Sequence, residues 1–132
     1  MGNTLIKISV VYFMIGISLG LYMSMFHVFH LSTVHVHINL LGWMSLALVG
    51  IIYHLKPHLS EKTAAKVHFW LHNIGLPIMM ISIALAIYTG NVILFLLATI
   101  GGGLTVIGIF FFSINVLLHL NKDTNKQDIV KH

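Results

Sequence analysis

Apolar positions run along the chain in four long stretches separated by short polar breaks: Leu5 to Met25, Val34 to Leu55, Val67 to Tyr88 and Val92 to Leu118. Each approaches or exceeds the ~20 apolar residues a helix needs to cross a bilayer core. Lys7 is the one Asp, Glu, Lys or Arg inside any of them. The pattern predicts an all-α integral membrane four-helix bundle, as one four-span transmembrane domain over residues 1–120 with a polar tail over 121–132. The first stretch is too long for a signal-peptide core and no small-residue cleavage site follows it, so it is expected to be retained as a span. The breaks carry turn chemistry. Phe26 to Thr33 offers Ser32 or Thr33 as a cap for the second helix, Ser60-Glu61-Lys62-Thr63 reads as a capped start for the third, and Gly90-Asn91 makes a tight turn.

Composition agrees with the pattern. Hydrophobic residues make up 58% of the 132 and charged residues 8%, and the mean hydropathy of +0.95 lies well outside the range of a soluble domain. Cysteine is absent, which excludes disulfides, thiolate-bound zinc, iron–sulfur clusters and heme attached covalently through cysteines. A pI of about 9.6 would suggest nucleic acid as partner of a soluble protein; here it marks orientation, and the partner is the lipid bilayer. Lys7, Lys56, Lys62, Lys66, Lys122, Lys126 and Lys131 all fall on one side of a four-span chain. The positive-inside rule then places both termini in the cytoplasm of a cell membrane, expected to be a bacterial plasma membrane.

Small residues mark contact faces: Gly16 and Gly20 four apart, Gly42 and Gly50 eight apart, then Gly75 with Pro77, where a kink is expected, and Gly101 to Gly103 with Thr105 and Gly108. The chain also holds ten histidines. Topology gathers His27, His30, His35 and His37 at the outer side and His54, His58, His68, His72 and His119 at the inner side. His35 and His37, two apart on a helix that turns ~100° per residue, point ~200° apart and face different neighbours. Heme iron, which takes axial imidazole in a dry pocket, suits such a pair. The plainer reading is imidazoles bonded to headgroups or water, and the following Asn39 and Gly42 weigh against it. His68 and His72 share a face, but Lys66 and Trp70 beside them give His68 the setting of an interfacial anchor, less so the deeper His72. His27 and His30, if helical, share a face at i, i+3, and lining a headgroup is favoured there over binding copper or zinc. Asn39, Asn73 and Asn115 are costly in lipid and should face protein or a bound group. The methionines read as packing residues, with only Met23 and Met44 within reach of the outer histidines. Glu61, Asp123 and Asp128 all lie outside the spans, which leaves hydrolytic chemistry poorly supported.

Two consecutive motifs resemble a known family. Val34-His35-Val36-His37, followed by Leu41-Gly42-Trp43 and Gly50-Ile51-Ile52-Tyr53, resembles the tenth helix of subunit I of heme-copper oxidases, above all the branch that includes nitric oxide reductases. Val67-His68-Phe69-Trp70-Leu71 with Ile74-Gly75 resembles the start of the helix that follows. The resemblance covers about half the chain. It implies that His35 sits where the high-spin heme is bound and His37 where the low-spin heme is bound, with Asn39, Gly42 and Trp43 beside them. His37-Ile38-Asn39 also resembles the His-x-Asn of the family's second helix. The family's subunit I has three four-helix arcs, and this chain has the size of one. It lacks a span with copper-ligand histidines, a proton-channel carboxylate and the matching tyrosine, so copper is not favoured. The expected function is noncovalent binding of heme b, for electron transfer or diatomic-gas binding, by a homo-oligomer, dimer or trimer, with heme between chains and a redox partner. One alternative is a component of a heme-copper oxidase or nitric oxide reductase-like oxidoreductase that assembles with other chains, with His27 and His30 contributing copper; another is a non-redox protein of metal or heme handling or assembly. His72, His68, His27 and His30 are further candidate metal ligands.

Overall fold

The computed structural model describes residues 1–121, so all but the first residue of the expected polar tail lies outside the described residues. Four helices are long and apolar enough to cross a membrane: Gly2–Phe26, Phe29–Leu55, Thr63–Thr89 and Val92–His119. The chain is thus an all-helical, multi-pass membrane protein, and no strand occurs among the described residues. The end of the bundle that carries Lys56, Lys62 and Lys66 is called the lysine end below.

The helix ends depart from the sequence expectations in instructive ways. The second helix opens with a 3-10 turn, Phe29–Leu31, that runs straight into α-helix at Ser32–His37. Ser32 and Thr33 therefore lie inside the helix and neither caps it. The turn before it is closed instead by His27, whose φ of 55° is left-handed and whose N–H bonds to the Met23 carbonyl. At the third helix Lys62 occupies the cap position with no side-chain bond, because the Ser60 hydroxyl already donates to the Pro57 carbonyl at 2.7 Å in the short helical turn Pro57–Ser60. The capped start expected there does not form. The fourth helix does have a side-chain cap: Asn91 accepts from the Ile93 N–H at 2.9 Å, just after Gly90 turns the chain with φ 64°. The third helix continues unbroken through Pro77.

Lipid is as apolar as a leucine side chain, so helices in it associate by close packing rather than by escape from water. The first helix packs chiefly on the second and the third on the fourth, and small residues line both contacts. A Cβ added to Gly42 would stand 2.6 Å from the Tyr12 ring, and one on Gly2 would stand 2.8 Å from the Gly50 carbonyl oxygen. In the other pair, a Cβ on Gly75 would stand 2.6 Å from the Gly101 carbonyl oxygen. Two apolar clusters join the pairs. Val34 and Ile38 meet Leu76, Met79 and Met80 in one, and Leu5, Leu46, Val49 and Tyr53 meet Leu59 and Ala65 in the other, at the lysine end. Within the second helix, Ile38–Ser45 is π-helical. A π-helical turn accommodates an extra residue and disturbs the regular i to i−4 pairing, which frees carbonyls for outside partners.

Candidate functional site: two sets of histidines

His35 and His37 stand on the α-helical turn just before the π-helical stretch. The His35 ring is turned onto the first helix: Nδ1 donates to the Gly16 carbonyl at 3.0 Å, and the ring lies so close to Gly20 that a Cβ there would stand 2.8 Å from Cε1. Asn39 Nδ2 is 3.3 Å from the same Nδ1, but Nδ1 carries the proton given to Gly16, and the amide instead donates to the His35 carbonyl at 2.8 Å. Gly16 is opened for Asn39 as well, since a Cβ there would stand 2.6 Å from Oδ1. His37 Nδ1 donates to the Thr33 carbonyl one turn earlier at 2.8 Å. In both rings the carbonyl fixes the proton on Nδ1 and leaves the Nε2 lone pair as the group that can bind a metal. Gly42 seats Tyr12, and Trp43 packs on Phe13 with ring centroids 4.1 Å apart.

The second set lies toward the lysine end. His68 and His72 are fully buried, so the interfacial anchor expected of His68 is not what the fold builds. Their ring centroids are 5.2 Å apart at 74°. His72 Nε2 donates to the Leu41 carbonyl of the π-helical stretch at 3.1 Å, tying the third helix to the second. Neither nitrogen of His68 and not Nδ1 of His72 has a protein partner. Both rings line a cavity of about 140 Å³ together with Ser45, Val49, Phe112 and Ser113. Tyr53, 2% exposed, presents its ring to His68 at 6.4 Å. These neighbours were legible only as a rhythm: Ser45, Val49 and Tyr53 recur every four residues on one face of the second helix.

Among the described residues, the remaining histidines do not join either set. His27 sits in the left-handed turn and His30 in the 3-10 turn, so they do not share a helical face as the i, i+3 spacing suggested. His30 packs edge-on against Tyr88 at 5.0 Å, while His27 lies near Phe29. His58 Nε2 donates to the His119 carbonyl at 3.1 Å, and His119 Nδ1 to the Asn115 carbonyl. Asn73 bonds to its own helix at Phe69, Met23 is buried in the core, and Met44 is exposed. Among the described residues, no three His, Cys, Asp or Glu side chains are grouped to hold a metal ion together.

No protein-family model, curated protein or solved structure matches the chain. Function is accordingly read from the side chains themselves, which is where it resides in any fold.

Proposed function

We propose that the chain is a membrane cytochrome that binds heme b noncovalently, with His37 as the axial ligand and His35 as the alternative, and that it transfers electrons or binds a diatomic gas. One observation carries the reading: the Thr33 carbonyl holds the His37 Nδ1 proton at 2.8 Å, which orients the ring and leaves Nε2 as a free donor, the arrangement that metal-binding imidazoles use. His37 is partly exposed, and Leu40 and Met44 after it are exposed apolar side chains suited to a porphyrin face.

Among the described residues, no histidine stands in a cavity that would enclose a porphyrin within one chain. The 140 Å³ cavity beside His68 and His72 is too small for it, and the apolar groove of about 450 Å³ between Val11, Tyr12, Ile38 and Pro77 has no imidazole in its wall. The donor set therefore fits heme at the outer surface of the bundle, between copies related by symmetry, each giving a His37. Bound there, the iron would supply one-electron chemistry, tuned by its axial ligands and burial. The lysine end faces the cytoplasm in this reading, as the positive-inside rule requires, and the heme lies toward the opposite surface.

Protein expressed with ample heme and purified in detergent should show a Soret band and a pyridine hemochrome spectrum of heme b, with one heme per two or three chains and iron without copper. His37→Ala should lower heme content at least tenfold, and His35→Ala should lower it less. A colourless wild-type protein, or an unchanged spectrum in His37→Ala, would falsify the proposal.

A further inference from the structure

His68 and His72 form the floor of a cleft between the second and fourth helices, and the outer heme reading makes no use of it. Leu48, 58% exposed, stands at its rim. The residues that line it all lie within membrane-spanning helices, so the cleft opens onto lipid, and a molecule reaches it by dissolving in the bilayer. None of them is Lys, Arg, Asp or Glu, and a charged molecule would find no counter-charge there. The volume of about 140 Å³ suits one six-membered ring, since a cavity of ~150 Å³ takes up benzene. Phe112 in the wall gives such a ring an aromatic neighbour.

The polar atoms that the cleft presents are acceptors. Ser45 gives its hydroxyl proton to the Leu40 carbonyl at 2.8 Å, and Ser113 gives its own to the Ile109 carbonyl at 2.9 Å. Each oxygen therefore keeps a lone pair for a donor from outside. His72 spends its Nε2 proton on Leu41 and has an unpartnered Nδ1, while His68 has a partner at neither nitrogen. Both imidazoles are fully covered, so the half-buried serines, one on each wall, are the groups a ligand meets. The imidazoles keep the floor behind them polar. An ether or ketone brings the serines nothing, whereas a hydroxyl brings the missing proton.

We propose that this cleft binds a neutral, lipid-soluble phenol, a molecule whose head is a single hydroxylated aromatic ring on an apolar tail. The ring fills the cleft beside Phe112, its hydroxyl donates to Ser45 or Ser113, and the tail leaves past Leu48 into the bilayer. Size selects one ring, the apolar walls select a neutral molecule, and the serines select a donor over an acceptor. The site is separate from the outer histidines, so it stands or falls independently of the heme there.

The test uses the full chain in lipid nanodiscs and measures equilibrium binding of tritium-labelled para-decylphenol. The competitor is para-decylanisole, which has the same ring and tail but a methylated hydroxyl. The site predicts saturable binding of about one phenol per chain, with the anisole displacing it at least tenfold more weakly than unlabelled phenol does. Ser45→Ala combined with Ser113→Ala should weaken binding at least tenfold. Thr99→Ala, which removes a hydroxyl bonded in the same way on an exposed face of the fourth helix, should leave it unchanged. If the double variant loses helix content by circular dichroism, Ser113→Ala alone decides, with at least a threefold loss. Decylhydroquinone, which carries a second hydroxyl, separates two sources of this chemistry: stronger displacement than by the phenol supports a quinol, and equal displacement supports a simple phenol. Uptake that does not saturate, equal displacement by phenol and anisole, or wild-type affinity in the folded serine variants would overturn the site.

Discussion

Asn115 donates from its side chain to the Leu59 carbonyl at 2.9 Å while fully buried, and its own carbonyl accepts from His119 at 3.1 Å. It thereby fastens the fourth helix to the turn Pro57–Ser60. Replacing it with Ala removes this bond and leaves the Leu59 carbonyl with backbone donors alone, the Lys62 N–H at 3.4 Å among them, so Asn115→Ala should destabilise the bundle by about 1 kcal/mol, seen as a lower melting temperature in detergent. The sequence marked this residue as one that had to face protein, because an amide in lipid has no other partner. It misled at His68 for an equally physical reason. Lys66 and Trp70 each lie two residues from His68 and so point to the opposite side of the helix. Trp70 is 63% exposed where His68 is buried, and neighbours in sequence described the wrong face.

Helix positions and lengths were legible because apolar runs of ~20 residues have few alternatives. The π-helical stretch Ile38–Ser45 was not, since nothing local demands it and the bond its Leu41 carbonyl accepts comes from His72 on another helix. Deleting Leu40 should restore ordinary α-helix and leave His35 and His37 facing as they do relative to Tyr53, because a π-helical stretch is an α-helix that has taken in one extra residue. Helix content and heme content should then both hold, as circular dichroism and hemochrome assays would record. The glycines make a sharper contrast. Gly75→Val forces a side chain into the Gly101 carbonyl and should cost about 1–3 kcal/mol. Gly103 has nothing within 4 Å of an added Cβ, so Gly103→Ala should be neutral or stabilise the helix by up to ~1 kcal/mol. Thermal unfolding of the two variants separates them.

For the whole molecule, lysine placement makes a prediction about sidedness that the absence of cysteine renders easy to test. In cells, Lys62→Cys should resist a membrane-impermeant maleimide added outside, and Asn91→Cys should react with it. Labelling of both from outside would reject the four-span topology, and labelling of only Lys62→Cys would invert it. Architecture at this scale followed from the apolar pattern, whereas the pairing of helices came from glycines whose partners the sequence does not name. That pairing has a consequence of its own. Each hairpin closes on its own small residues, and the two are joined by a single short link from Lys56 to Lys62, by two apolar clusters and by the His72 bond to Leu41. The chain is therefore divisible there: two fragments made separately have the means to reassemble, and a neighbouring copy could lend one hairpin in exchange for another without any contact being redesigned.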